Sequence, residues 1–229
     1  MVTISAGSYD LNRWLHGGYE QEIITVLFGA PGSGKTTFCL LAAVSQAKKG
    51  KKVIYIDTEG GFSVERIKQL ADEAYTTILD RLLVLKPTTF DEQKEAFVTL
   101  LKHLKEEVGL IVVDGMTMLY RLDFAAARSK NKDEMRKVSD ELVRQVRMLA
   151  EIARKREIPV LVTSQVYRWE GEEKIVGGDI LQYWGKCLLE LQVTGGKRKA
   201  ILRKHRHLGE RELEFVIKNE GIKKKVWLG

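Results

Sequence analysis

Short runs of apolar residues alternate along the chain with amphipathic stretches of helical length. The apolar runs cover residues 23–28, 52–57, 82–85, 110–114 and 159–165. The amphipathic stretches predict helices over residues 35–48, from 64 to about 75, from 89 to about 107, and over 133–155. Because the runs do not alternate with polar residues, we expect strands that are buried on both faces. The pattern therefore predicts an α/β fold in which helices flank a mostly parallel sheet.

The pattern changes after residue 178. Residues 186–193 and 199–205 flank the pair Gly195-Gly196, which suits a tight hairpin turn that needs positive φ. Residues 213–217 could add a further strand. The C-terminal third is therefore predicted to extend the same sheet with antiparallel strands. Because no internal repeat or low-complexity linker divides the chain, we interpret residues 1–229 as one domain.

Composition restricts the classes of protein that fit this pattern. Hydrophobic residues make up 44% and charged residues 30%, which is typical of a globular protein. No apolar run approaches the ~20 residues that span a bilayer, and the N-terminus does not resemble a signal peptide. Cys39 and Cys187 lie in apolar segments without metal-ligand spacing, which indicates free thiols in a reducing compartment. We therefore expect a cytoplasmic protein that does not bind membranes.

The chain is basic, with 38 Lys and Arg against 31 Asp and Glu, a net charge of +7. The cations concentrate in residues 48–52, 128–137, 197–207 and 223–225. This balance is compatible with a nucleic-acid partner, although many basic proteins bind none.

A glycine-rich motif follows the first predicted strand and precedes the first predicted long helix. Residues 29–36 match the pattern G-x-x-x-x-G-K-[ST], which in this context predicts a phosphate-binding loop. The predicted nucleotide-binding residues are Gly29, Ala30, Pro31, Gly32, Ser33, Gly34, Lys35, Thr36 and Thr37. Lys35 would contact the β and γ phosphates, and the Thr36 hydroxyl would bind Mg²⁺. The predicted cofactors are ATP and Mg²⁺.

Three polar residues end or follow other predicted strands at the same edge of the sheet. Asp114 ends the strand over residues 110–114, where P-loop proteins place a carboxylate for the metal. Glu59 follows the strand over residues 52–57 and is the candidate general base, or else a solvated turn residue. Gln165 could contact the γ-phosphate and signal its loss, or could be an ordinary polar strand end.

Several segments together resemble the ATPase core of the RecA/RadA recombinase family. The resemblance rests on residues 29–37, 57–66, 110–114 and 162–166, and extends to 120–124 and 177–179. It covers nearly the whole chain from Ser8 onward and implies a RecA-like P-loop ATPase. It also implies that Lys35 and Thr36 bind phosphate and metal, and that Asp114 lies near Mg²⁺. Glu59 would be the catalytic base and Gln165 the sensor.

The resemblance further implies that single-stranded DNA binds through residues of about 121–132 and 167–178. The candidate contacts are Arg121, Arg128, Lys130 and Trp169. Trp169 could stack on a base, or it could contact a protein partner. Glu170, Glu172 and Glu173 would repel a phosphate backbone and weaken the second of these assignments.

Only 22 residues precede the first predicted strand, so we expect no N-terminal helical DNA-binding domain and no polymerisation linker. Strand exchange needs a cooperative filament. We therefore expect no strand exchange by this chain alone, and the resemblance implies an accessory protein of homologous recombination and DNA repair. It would bind ATP, hydrolyse it weakly and act beside a RadA-type recombinase.

Lys204 and Arg206 would share one face if residues 199–205 and their flank form a strand. They could belong to a DNA-binding surface, or could reach the γ-phosphate of a neighbouring subunit. Ring-forming relatives of this core carry a similar pair. A merely solvated basic strand is the third interpretation. Two other functions stay open: an ATP-switched regulatory interaction module, and a RecA-like motor that assembles as a homo-oligomeric ring.

Overall fold

The computed structural model describes residues 2–104, 107–169 and 172–225. Its strands are β1 (Thr3–Ile4), β2 (Tyr19–Glu20), β3 (Ile24–Gly29), β4 (Lys52–Asp57), β5 (Leu82–Leu85), β6 (Val108–Asp114), β7 (Val160–Ser164), β8 (Val166–Trp169), β9 (Glu172–Ile175), β10 (Gly185–Thr194), β11 (Lys197–Lys204), β12 (Arg211–Lys218) and β13 (Gly221–Lys224). Its helices are α1 (Tyr9–Trp14), α2 (Lys35–Lys48), α3 (Val64–Ala71), α4 (Tyr75–Leu79), α5 (Phe90–His103), α6 (Met118–Arg128), α7 (Lys132–Arg156) and α8 (Gly178–Trp184), with a 3₁₀ turn over Asp72–Ala74.

Nine of the described strands form one sheet in the order β13-β12-β11-β10-β3-β7-β6-β4-β5. Strands β10, β3, β7, β6, β4 and β5 pair in parallel. Strands β11, β12 and β13 continue the sheet from β10 in antiparallel pairs. The predicted mostly parallel sheet with an antiparallel C-terminal extension is therefore confirmed.

Strand β6 shows why its sequence is apolar throughout. Leu110 and Val112 belong to the hydrophobic core that contains α2, and Ile111 and Val113 to the core on the opposite face, against α5 and α7. All four side chains are fully buried. A strand covered on both faces has no solvent side, so no polar alternation is possible.

Some sequence-based boundaries are wrong. The first strand is β1 and not the run that begins at Ile23, because α1 and the β1–β2 pair occupy the N-terminal residues. The helix predicted from 64 to 75 ends at Ala71, since Asp72 has a φ of 55° that no α-helix accommodates. The helix predicted to end near residue 107 ends at His103.

The two segments predicted to contact DNA are more regular than loops. Residues 121–132 contain most of α6, a short turn and the first residue of α7. Residues 167–178 contain most of the β8–β9 hairpin, in which Tyr167 pairs with Lys174. No helix in the described part of the chain is long and apolar enough to cross a membrane.

Candidate active site

The predicted phosphate-binding loop joins the carboxyl end of β3 to the start of α2. Gly29 ends β3, and a Cβ there would lie 2.1 Å from the carbonyl oxygen of Leu191 in β10. Gly34 caps α2 with a left-handed φ of 111°. Both positions therefore require glycine. The nine predicted nucleotide-binding residues, 29–37, follow this turn into α2, whose N-terminal N–H groups favour an anion.

Lys35 is the first residue of α2 and is only 7% exposed. Its Nζ donates hydrogen bonds to the carbonyl oxygens of Gly29 (2.9 Å) and Ala30 (3.0 Å). Burial lowers the pKa of Lys35, whereas the negative charges of Glu59 and Asp114 act to raise this pKa. The ammonium group is thus held at the loop, near both predicted carboxylates.

The predicted metal ligands Thr36 and Asp114 face one small space. A Cβ at Gly61 would lie 3.2 Å from Thr36 Oγ1 and 3.9 Å from Asp114 Oδ2. The missing side chain of Gly61 therefore leaves room between the two oxygens. Hydroxyl and carboxylate oxygens are ligands that Mg²⁺ uses together with water and phosphate oxygens. In kind and position, the two side chains fit Mg²⁺.

Asp114 is 1% exposed, and both of its carboxylate oxygens accept hydrogen bonds. The Tyr55 hydroxyl donates to Oδ2 over 2.8 Å, and the Thr163 hydroxyl donates to Oδ1 over 2.6 Å. Burial, followed by the negative charge of Asp114, raises the pKa of Tyr55 well above its usual value. The phenol therefore keeps its proton and acts as a donor.

Glu59 lies in the turn after β4, and Asp57 shapes that turn. The Asp57 carboxylate accepts hydrogen bonds from the backbone N–H groups of Gly61 and Phe62, each over 3.0 Å. The Thr58 hydroxyl donates a hydrogen bond to the carbonyl oxygen of Gly115 (2.6 Å) and accepts one from the backbone N–H of Gly115 (3.0 Å). The turn is therefore tied to the end of β6, next to Asp114.

Gln165 directly follows β7 and contacts Glu59. Its Nε2 donates a hydrogen bond of 3.1 Å to Glu59 Oε2. The Glu59 side chain is exposed, as expected for either a base or a solvated turn residue, but Gln165 orients it. Together the predicted residues Lys35, Thr36, Glu59, Asp114 and Gln165 meet at the carboxyl edge of the sheet, where α/β folds bind ligands.

The end of β7 also contacts the β8–β9 hairpin. The backbone N–H of Val176 donates to the carbonyl oxygen of Gln165 over 3.0 Å. The Ser164 hydroxyl donates to the carbonyl oxygen of Val176, also over 3.0 Å, and lies 2.8 Å from the Thr117 hydroxyl. A chain of hydrogen bonds therefore runs from Glu59 through Gln165 to the base of the hairpin.

A groove of about 550 Å³ lies between α6 and this hairpin. Cationic and aromatic side chains dominate its lining, namely Tyr120, Arg121, Phe124, Arg128, Tyr167 and Lys174. A second cavity, of about 740 Å³, adjoins it and shares Tyr120, Tyr167 and Lys174 with it. The structure thus brings the predicted Arg121 and Arg128 together.

The other predicted DNA contacts lie apart from this lining. Lys130 is exposed in the turn between α6 and α7 and does not line the groove. The side chain of Trp169 lies outside the described part of the chain. Lys174, which no motif in the sequence indicates, pairs with Tyr167 across the hairpin. Its signal in the sequence is position alone, since Tyr167 is the second residue of β8 and Lys174 the second-last residue of β9.

Lys204 and Arg206 lie away from the nucleotide loop, toward the amino ends of the parallel strands. Lys204 ends β11, and its Nζ donates to the carbonyl oxygens of Gln182 (2.8 Å) and Gly185 (2.9 Å). Arg206 lies beyond the strand and forms an ion pair with Glu20. The prediction that both side chains share one strand face is therefore wrong, because β11 ends before Arg206.

Comparison with known proteins agrees with this architecture. The model of the Rad51 family matches residues 1–225. A protein of Methanobrevibacter smithii named DNA repair and recombination protein RadB is 40% identical over 93% of this chain and 92% of its own length. The protein of the same name from Methanocaldococcus jannaschii is 38% identical over 93% of this chain and 98% of its own length.

A solved structure, described as the crystal structure of the RadB recombinase, is similar across the whole chain. It has a TM-score of 0.80 and 34% identity, and the match covers 98% of this chain and 100% of that one. These matches confirm the resemblance to the recombinases. Because both the family model and relatives above 30% identity cover nearly its full length, the chain belongs to the Rad51 family.

Proposed function

We propose that this chain binds ATP with Mg²⁺, hydrolyses it weakly, and binds single-stranded DNA as an accessory protein of homologous recombination and repair. One observation carries the proposal. The predicted base, Glu59, is hydrogen-bonded to Gln165, whose backbone is bonded to Val176 at the base of the hairpin. That hairpin lines the basic groove. The nucleotide site and the groove are therefore joined through the end of one strand.

The residues at the carboxyl edge would divide the hydrolysis reaction among them. Lys35 would bind the β and γ phosphates in place of the carbonyl oxygens that it now contacts. Thr36 and Asp114 would hold Mg²⁺, which offsets the negative charge of the phosphate oxygens when bound. Glu59 would take a proton from the attacking water. Gln165 would exchange its bond to Glu59 for one to the γ-phosphate.

DNA would bind in the groove between α6 and the hairpin. Arg121, Arg128 and Lys174 supply positive charge for phosphates, and the half-exposed Tyr167 supplies a ring on which a base can stack. Lys130 and Trp169 lie close in the sequence to Arg128 and Tyr167, which line the groove. They are secondary candidates for contact with DNA. When the γ-phosphate leaves, Gln165 would move, and its backbone hydrogen bond to Val176 would transmit this movement to the hairpin that lines the groove.

The biological setting is proposed from the relatives. Their names, DNA repair and recombination protein RadB, describe proteins that match nearly the full length of this chain. We propose that this chain acts in the same process and that its protein partner is a RadA-type recombinase. Localisation in the cytoplasm and assembly into a homo-oligomer remain predictions.

A titration of fluorescent single-stranded DNA tests this function. Anisotropy would be measured with ATP, with ADP and without nucleotide, each at two salt concentrations. We expect binding that weakens with salt and depends on the nucleotide. The variant Arg121→Ala with Arg128→Ala should lower the salt slope by about 0.7 for each lost phosphate contact. Arg136→Ala, an exposed cation on α7, is the control.

Two outcomes would contradict the proposal. If no DNA binds at low salt, the alternative of an ATP-switched interaction module is favoured. If DNA binds but Lys35→Ala leaves both ATP affinity and the nucleotide dependence unchanged, residues 29–37 are not the site. Assembly into a ring upon addition of ATP would instead favour a motor ATPase.

A further inference from the structure

Asp114 is held by hydroxyl groups from the strands on both sides of β6. Thr163 lies on β7 and Tyr55 on β4, the two neighbours of β6 in the sheet. Neither Tyr55 nor Thr163 is exposed. One hydroxyl donates to each oxygen of the carboxylate, so the plane of the carboxylate is fixed from two directions.

We infer that Tyr55 and Thr163 are positioning residues that aim the Asp114 carboxylate at the bound Mg²⁺. This inference rests on the proposed ATP–Mg²⁺ function. Neither residue would touch the ion, the nucleotide or the attacking water. Both would act only through Asp114.

The register of the strands supports this role. Asp114 pairs with Asp57, so Tyr55, two residues earlier on β4, has its side chain on the same face of the sheet. Tyr55 also belongs to the core that contains α2, the helix on which Thr36 lies. The phenol therefore reaches Asp114 Oδ2, the oxygen near Gly61, from the face on which the phosphate-binding loop is built.

The two hydrogen bonds restrict what the carboxylate can do. A carboxylate has about four lone-pair sites, and each donor occupies one of them. The remaining site on Oδ2 can then point into the space beside Thr36 and Gly61. Without the Tyr55 hydroxyl, rotation of the carboxylate would be opposed from only one side, and its preferred orientation toward the ion would weaken.

Partners of this kind have measurable effects in metal sites. Removal of a group that orients a metal ligand typically costs about 10- to 100-fold in metal affinity. We therefore expect Tyr55→Phe and Thr163→Val each to raise the Mg²⁺ concentration that half-saturates ATP binding by about 10-fold or more. The affinity for ATP in the presence of a chelator should not change, because the hydroxyl that each variant removes bonds to Asp114 and not to residues 29–37.

The chain offers matched controls for both variants. The Tyr19 hydroxyl is also buried, but it has no hydrogen-bond partner among the described residues, so Tyr19→Phe removes the same atom without touching Asp114. Thr163→Ser keeps the hydroxyl that Thr163→Val removes. Tyr55→Phe retains the ring that packs edge-on against Phe62 at 5.2 Å, so the variant should fold.

The experiment is a calorimetric titration of ATP at increasing Mg²⁺ concentrations, with thermal unfolding of each variant as the check on folding. The expected result is a shifted Mg²⁺ dependence in Tyr55→Phe and Thr163→Val, and wild-type dependence in Tyr19→Phe and Thr163→Ser. The inference is overturned if folded Tyr55→Phe and Thr163→Val respond to Mg²⁺ as the wild type does. It is also overturned if they lose ATP affinity equally with and without Mg²⁺, since that pattern indicates a general structural role. If the wild type binds ATP without any Mg²⁺ dependence, the metal site itself fails, and the inference fails with it.

Discussion

Gln165 Nε2 donates a 3.1 Å hydrogen bond to Glu59 Oε2, although 106 residues separate the two along the chain. The contact joins the end of β7 to the turn after β4, across the end of β6, which lies between them. The hydrogen bond gives this exposed carboxylate a preferred orientation. The Gln165 amide nitrogen carries two N–H groups, and this contact uses one of them.

Glu59→Gln should retain ATP binding and lose hydrolysis. The substitution keeps the size of the side chain and removes the base, for which losses of about 10²- to 10⁴-fold are typical. Single-turnover assays with radiolabelled ATP would measure the rate even where steady-state turnover is low. A variant that hydrolyses ATP at the wild-type rate would leave Glu59 as a turn residue.

Gly115→Ala should slow hydrolysis without unfolding the protein. A Cβ at this position would lie 2.5 Å from Glu59 Oε1, the end of a flexible side chain that can move away. The displaced carboxylate would then lose its orientation by Gln165. We expect unchanged ATP affinity and a rate at least about 10-fold lower, which corresponds to about 1.4 kcal/mol in the barrier.

Gly209→Ala provides the control for that substitution. Gly209 has nothing within 4 Å of an added Cβ and no positive φ, so the variant should behave as the wild type does. Wild-type hydrolysis by Gly115→Ala would show that the position of Glu59 does not limit the reaction.

Lys204→Ala combined with Arg206→Ala should leave the ATP affinity of the isolated chain unchanged. Both residues lie away from residues 29–37, and any action on a nucleotide would require a neighbouring subunit. The double variant should therefore lose only ATPase stimulation that depends on protein concentration or on a recombinase. Loss of DNA binding with stimulation intact would instead assign the pair to a DNA-binding surface. If neither property changes, Lys204 and Arg206 have neither of the two proposed functions, and the interpretation as solvated basic residues is supported.

Arg206 has a structural role that complicates this double variant. Its guanidinium forms an ion pair with Glu20, which is 5% exposed and also lies within 4 Å of the rings of His205 and His207. Arg206→Ala should therefore destabilise the fold by about 1–3 kcal/mol, the usual cost of leaving a buried polar group without its partner. Arg206→Lys keeps the charge, and urea denaturation of both variants would separate this effect from function.

Stability should fall as the pH is lowered through the range in which His205 titrates. The side chain of His205 is 3% exposed, and burial lowers its pKa despite the opposing effect of Glu20. His207, Arg206 and Arg211 lower this pKa further. The unfolded chain, with a histidine pKa of about 6.5, then binds the proton more tightly than the folded chain.

Acidification from pH 7 to 5.5 should accordingly favour unfolding. The contribution of His205 to the free energy of unfolding is fully present above a pH of about 6.5 and is lost as the pH falls below it. Urea denaturation at both pH values would measure the change. His205→Gln should reduce the dependence of stability on pH, and an identical dependence in that variant would rule out His205 as its source.

Much of the fold follows from local pattern. The boundaries of β4 and β5 are the predicted ones, and those of β3 and β7 differ by single residues, because each apolar run is bounded by polar residues, glycine or proline. Elements that depend on packing were missed. The pair β1–β2 has only two residues in each strand, which is too short for any periodicity to show.

The candidate site was also predictable from the sequence only in part. Residues 29–37 are recognisable because their function depends on consecutive backbone positions. The partners of Asp114 were missed because Tyr55 and Thr163 come from different strands, and a buried Tyr or Thr in such a run reads as ordinary core. Their alignment depends on the strand order β7-β6-β4, which no local window contains. The proposed roles of the site residues, and the interpretation of residues 1–229 as one domain, remain predictions.

The strand that delivers the phosphate-binding loop has consequences for how the protein is made. Strand β3 ends at Gly29, yet its two neighbours in the sheet are β7 and β10, which begin at Val160 and Gly185. Ile217 of β12 then packs against Gly34. A ribosome therefore synthesises the loop early, but a nascent chain that ends before Val160 leaves both edges of β3 without a partner. Nucleotide can meet a finished loop only after β10 and β12 have also been synthesised, so chains truncated before β10 should be poor ATP binders even when residues 29–37 are intact.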